Sequence, residues 1–256
     1  MSPMLAVAAL IGGLVLGPWL GILVDRVVPR LRLAAEHRCV GCEAGLGRRS
    51  LVPVLSWIHR CDACGRSPWL RYPGVDLATA GLLAAVALRF GVTWKLGPYL
   101  AVAALLVVLS AIDLETHLLP NLLTWPAIGA GLFVVLVLSG ELGDEAGLEA
   151  ALVGAATFGG FIGVTHLMYE AGMGRGDVKL SVLLGLFVGW VAPDTIGALR
   201  LVFYALFVAF LGGGLVGLAY NRIRRRGRAE IPFGPALAAG ALLVVLASDP
   251  LLGSAS

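Results

Sequence analysis

Apolar residues in this chain come in long unbroken blocks, not at alternating or helical-face spacing. Met4–Val24 contains no charged residue at all. Seven more blocks follow: Val75–Phe90, Pro98–Ile112, Leu122–Leu138, Leu148–Tyr169, Val178–Ala192, Thr195–Tyr220 and Phe233–Ala247. A bilayer crossing needs about 20 mostly apolar residues, with a range of roughly 17–25. The pattern therefore predicts an all-α polytopic membrane protein with about eight transmembrane helices. The break between the sixth and seventh blocks is brief, so seven spans is the alternative count. The first block does not read as a signal peptide, because no Lys or Arg precedes it and an arginine-rich stretch follows it.

Composition agrees with the pattern. The chain is 59% hydrophobic and only 14% charged, where a soluble domain carries roughly 25% charged residues. Mean hydropathy is +0.91. These values exclude a soluble enzyme, a disordered chain and a nucleic-acid binder, and they make membrane lipids the chain's surroundings. The layout predicted is a first transmembrane helix (1–24), a polar insert (25–72) and a membrane core of about seven helices (73–256).

The net charge of +3 says little, but its distribution orients the chain. Arg26, Arg30, Arg32, Arg38, Arg48, Arg49, Arg60, Arg66 and Arg71 lie in the insert, and Arg222, Arg224, Arg225, Arg226 and Arg228 follow the seventh block. Arg175 and Lys179 flank the start of the sixth. Basic residues mark cytosolic loops. Eight spans with a cytosolic insert place all of these on one side, leaving only Arg89, Lys95 and Arg200 opposite. The acidic connection holding Glu141, Asp144, Glu145 and Glu149 then falls outside.

All four cysteines sit in the insert, as Cys39-Val-Gly-Cys42 and Cys61-Asp-Ala-Cys64. Two CxxC pairs at this separation match a four-thiolate zinc site, each knuckle presenting two sulfurs to one tetrahedral ion. Disulfides are the competing reading, which a reducing cytosol disfavours. Nothing points to an open coordination position, so the zinc is expected to be structural. His37 and His59 read as bystanders.

Carboxylates at membrane depth are functional candidates by default. Asp76, Asp113 and Asp177 stand at or inside span ends. Asp113 closes the third span and Asp177 opens the sixth, both on the cytosolic side of the predicted topology. Two carboxylates brought to one level can share a proton and activate water. Helix capping or packing is the plainer reading of each, and proton or ion transport is the rival function. Gly174 and Gly176, alternating before Asp177, would let a substrate backbone approach closely. Lys179 could hold a carboxylate of substrate or cofactor, or could snorkel to the interface. His117 shares a face with Asp113 if the third helix continues; otherwise it is an interfacial loop residue. His166 reads as a hydrogen-bonded packing residue.

Gly172-Met-Gly-Arg-Gly-Asp177-Val-Lys-Leu180 resembles the GxGD signature of membrane aspartyl peptidases. The chain as a whole is similar to bacterial prepilin peptidases, the type IV leader peptidases. Gly21-Ile-Leu-Val-Asp-Arg26 with Pro29-Arg30 resembles that family's first span exit. The CxxC pairs bracket Pro53-Val-Leu-Ser-Trp57, as in its tetracysteine segment. Arg71-Tyr-Pro-Gly-Val-Asp76 and Ile231-Pro-Phe-Gly-Pro235 resemble its later signatures. Asp76 stands where the family commonly has Glu, and Asn121 where Asp is common.

The resemblance implies two activities in the bacterial cytoplasmic (inner) membrane. One is cleavage of the basic leader of type IV prepilins or pseudopilins at the cytosolic face. The other is methylation of the new N-terminus with S-adenosylmethionine. It implies Asp113 and Asp177 as the catalytic pair, and it ties the tetracysteine insert to the methylating, full-length type. A peptidase without methyl transfer and a proton-coupled transporter are the alternatives. Helix dipoles favour an anion at an N-terminus and disfavour one at a C-terminus. On that ground Asp177 is expected to activate water and Asp113 to hold the shared proton.

Overall fold

The computed structural model describes residues 3–31, 63–65, 72–169, 174–224 and 232–253. It is all-helical, with no strand among the described residues. The helices are α1 (Pro3–Leu31), α2 (Tyr72–Phe90), α3 (Leu96–Thr116), α4 (Asn121–Leu142), α5 (Glu145–Met168), α6 (Arg175–Trp190), α7 (Thr195–Arg224), α8 (Gly234–Leu246) and the short α9 (Ser248–Leu252). Each of the eight apolar blocks is one helix, and the brief sixth-to-seventh break is a real interruption, occupied by residues 191–194. Helix α1 runs two turns past the expected exit at Val24, to Leu31, with Pro29 inside its last turn. Among the described residues, five helices are long and apolar enough to cross a membrane: α1 through Pro3–Gly21, then α3, α4, α5, and α7 through Thr195–Leu218.

The chain forms two compact units, Met1–Ile112 and Asp113–Ser256. Lipid tails are as apolar as leucine, so burial alone does not drive membrane helices together; close van der Waals packing does. In the first unit that packing runs through Gly13 and Gly17, one turn apart on α1. A Cβ added at Gly13 would lie 2.5 Å from Ala80 Cα, and one at Gly17 would lie 2.6 Å from Asp76 Cα. The α1 backbone therefore rests directly on α2, and Asp76 is enclosed there. At the far end of α2, Phe90 stacks on Tyr99, with ring centroids 4.2 Å apart.

In the second unit α6 is the central element, buried almost continuously from Leu183 to Trp190. Its glycines meet those of α5: a Cβ on Gly154 would lie 2.9 Å from Gly189 Cα, and one on Gly185 would lie 2.8 Å from Phe158 Cβ. On the α4 side, Gly131 faces Phe187 and Leu183, and the Trp190 indole N–H donates to Ser139 Oγ at 3.0 Å. Gly240 of α8 sits against Ala205 and Ala209 of α7. With α6 surrounded by protein, its length of roughly 24 Å need not match a hydrocarbon core of about 30 Å.

Short-range signals set the joints. Gly143 ends α4 in the left-handed conformation (φ 65°). Asp144 then caps α5, its Oδ1 accepting from Gly147 N–H at 3.1 Å. Asp144→Ala is expected to lower unfolding stability in detergent by about 1 kcal/mol, the usual worth of such a cap; an unchanged thermal midpoint would show that this joint is held by the flanking helices instead.

Candidate functional site

The second unit begins with Asp113, in the last turn of α3. Its backbone carbonyl accepts from His117 N–H at 2.8 Å, and His117 turns into the left-handed region (φ 53°), so the helix stops at Thr116. His117 is therefore a loop residue. It is exposed and lies within electrostatic reach of Asp113. Asp177 stands in the first turn of α6. Asp177 N–H donates to the Gly174 carbonyl and Gly174 N–H donates back to Asp177 Oδ2, both at 3.1 Å. This reciprocal pair fixes both the start of α6 and the orientation of the carboxylate.

Both carboxylates are enclosed, Asp113 at 4% and Asp177 at 7% exposure. Burying an anion requires donors aimed at it. Asp177 has Gly174 and the start of its own helix. Asp113 has a donor that the sequence did not disclose: Gly234 N–H, at the first position of α8, donates to Asp113 Oδ2 at 3.1 Å. These are the hydrogen bonds reaching the two carboxylates among the described residues. The expectation that helix dipoles would separate the two aspartates is thus corrected. The C-terminal end of α3 disfavours charge on Asp113, but the N-terminus of α8 points at it and favours charge there. Asp113 lies close enough to Asp177 to act on it electrostatically, as does His166 from the last turn of α5.

The remaining predicted residues divide. Gly174 is exposed, with open space on most of its side-chain position. The space beside Gly176 is filled: an added Cβ would lie 2.8 Å from Leu119 Cβ, so this glycine lets the segment after α3 pack on α6. Lys179 has partners within the protein. Its ammonium donates to Asn121 Oδ1 and lies 5.6 Å from the centre of the Trp125 ring, tying α6 to α4. Of the predicted zinc ligands, Cys64 is exposed beside the turn at residues 63–65, while Cys39, Cys42 and Cys61 lie outside the described residues. No group of three or more metal-ligating side chains occurs among the described residues.

Pro-Phe-Gly-Pro235, to which the sequence alone assigns no task, has one in the structure. Phe233 precedes α8 and its ring lies 5.0 Å from that of Phe210 on α7. Pro235, in the first turn, has no N–H to offer. Gly234 alone presents a donor beside Asp113 with no side chain in the way.

Residues 100–218 match the type IV leader peptidase family, and residues 11–90 match the bacterial peptidase A24 N-terminal domain. A protein from Bacillus subtilis (strain 168), named prepilin leader peptidase/N-methyltransferase, is 29% identical over 248 residues, covering 94% of this chain and 93% of that one. Proteins of the same name from Stutzerimonas stutzeri and Aeromonas hydrophila are 30% and 33% identical, covering 96% and 83% of this chain and 92% and 72% of theirs. No solved structure matches the chain.

Proposed function

The chain belongs to the type IV leader peptidase family, and from that premise we propose that it cleaves the leader of type IV prepilins or pseudopilins and methylates the new N-terminus. The observation that carries the peptidase half is the pair Asp113 and Asp177. Two buried carboxylates from separate helices interact electrostatically, each with its Oδ2 held by a single backbone N–H.

Two such carboxylates share one proton, since both cannot ionise at close range. The ionised member takes a proton from water as that water attacks the scissile carbonyl carbon. The protonated member gives its proton to the carbonyl oxygen. Collapse of the tetrahedral intermediate breaks the C–N bond, and a proton passes to the departing amine. With a helix start facing each aspartate, the two titrate as a pair and neither owns one role. S-adenosylmethionine supplies the methyl group to that amine when bound.

The eight-span topology is part of this reading. Both termini lie outside, the insert and the aspartate pair lie on the cytosolic side, and the membrane is the bacterial inner membrane. A prepilin presents a hydrophobic helix behind a basic leader, so it can enter from the bilayer. Gly174, exposed beside Asp177, is the open position for its backbone. Gly176 serves packing and Lys179 fixes α6 against α4, close to where substrate arrives. The domain layout follows: helix 1–24, insert 25–72 and core 73–256.

For the insert, the donor set itself fits structural zinc: four thiolates, from Cys39, Cys42, Cys61 and Cys64, suit a closed tetrahedral site. Metal analysis of the purified protein is expected to give one zinc per chain and markedly less in Cys39→Ser and Cys61→Ser; full zinc in both variants would remove the assignment. The dual activity is tested by the intact mass of a prepilin incubated with the detergent-purified protein, with and without S-adenosylmethionine. Leader loss in both samples and one added methyl only with the donor is expected. Leader loss without methylation would leave a peptidase alone, and no cleavage of any prepilin or pseudopilin would refute the proposal.

A further inference from the structure

Gly234 lies 121 residues from Asp113 in sequence, yet its N–H is the donor on Asp113 Oδ2, in a buried contact. The position is built in three ways. First, an added Cβ at Gly234 would lie 2.6 Å from Asp113 Oδ2 and 3.2 Å from Asp113 Cγ, so the backbone can reach the carboxylate only while this residue has no side chain. Second, Leu237 N–H returns to the Phe233 carbonyl as an ordinary helical bond, and Pro235 contributes no N–H. The donor that the start of α8 gives Asp113 is thus Gly234 N–H, and it falls on Oδ2. Third, that start is itself located. Phe233 rests on Phe210 and beside Gly213 of α7, and Phe210 meets Phe161 of α5 edge to face, with centroids 6.1 Å apart.

We infer that Gly234 is a positioning residue of the peptidase centre: its backbone N–H holds the Asp113 carboxylate in the orientation that leaves Oδ1 free for proton exchange. Gly234 touches neither substrate nor water in this role; it acts through Asp113. The inference rests on the reading of Asp113 as one of the proteolytic pair, and its test separates the two.

The full-length protein in detergent is labelled at the carbonyl carbon of phenylalanine and the nitrogen of glycine. Only the Phe–Gly pairs Phe90–Gly91, Phe158–Gly159 and Phe233–Gly234 then give linked amide signals. Asp113→Asn, nearly identical in shape, is expected to move the Gly234 amide proton upfield and leave the other two in place. An unmoved Gly234 signal overturns the inference. In kinetics, Gly234→Ala is expected to lower kcat for leader cleavage at least about tenfold, the scale set by loss of one fixed donor at a reacting centre, with KM changed less than about twofold. Gly240→Ala crowds the same helix against Ala205, away from Asp113, and serves as the packing control. Equal loss of kcat per folded molecule in both glycine variants, or full kcat in Gly234→Ala, also overturns the inference. If Asp113→Asn cleaves as fast as the wild type, the function assigned to Asp113 fails, whatever the amide signal does.

Discussion

Asp177→Asn and Asp113→Asn are each expected to lower the rate of leader cleavage by at least about a thousandfold, with the protein folded and substrate still bound. The magnitude follows from proton transfer by positioned side chains, which contributes roughly a hundredfold to ten-thousandfold. An amide cannot carry the proton that both steps of the mechanism require. The fold survives because the asparagine oxygen can still accept from Gly174 N–H or Gly234 N–H, the contacts that place the two side chains. Asp177→Glu should fail nearly as badly. Its extra methylene pushes the carboxylate past the Gly174 N–H, so charge is retained but the orientation is lost. The check is single-turnover cleavage beside a binding measurement on the same preparations. A variant that no longer binds prepilin would point to a role in substrate recognition instead.

The second large effect concerns the contact that holds α6 in place. Gly189→Val is expected to abolish or nearly abolish folding of the second unit. A Cβ at Gly189 would lie 2.9 Å from both the Ala150 carbonyl carbon and Ala151 Cα, and both alanines are fully buried. Those atoms are backbone, so no side-chain rotation can relieve the overlap and the helices must part. Overpacking typically costs about 1–3 kcal/mol and occasionally more; here the whole α5–α6 seam opens, including the contacts of Gly154 and Gly185. Gly160→Val, on an open face of α5 with nothing within 4 Å, is the control. Thermal unfolding in detergent should show the first variant collapsed and the second close to wild type. Similar behaviour of the two would mean that the seam yields.

Much of this was legible in the sequence because a bilayer imposes a coarse and local rule. A block of apolar residues must be helical, since lipid offers its backbone no partners, and all eight blocks are helices. Helix ends were less legible. Helix α1 continues through Asp25 and Arg26 to Leu31, since charge ends a membrane span but not a helix. The aspartate pair could be picked out because charge is conspicuous in such a chain. Its electrostatics could not be, because the deciding group is a backbone N–H far along the chain. A sequence shows which helix carries Asp113, not which helix points at it, so the part played by α8 is invisible there. Gly176 meets the same limit. Its missing side chain signals a close approach, and the structure places Leu119 beside it. Lys179 likewise has Asn121 and Trp125 as partners that nothing in the local pattern marks.

The central claim is that Asp113 and Asp177 act as one proton-sharing unit. Its most direct test is single-turnover cleavage of one prepilin by the wild type, Asp113→Asn, Asp177→Asn and the double variant. Groups that act as a unit are strongly non-additive. The account predicts that each single variant is as slow as the double, within a few-fold. Losses that multiply in the double variant, or a single variant with near wild-type cleavage, would contradict it.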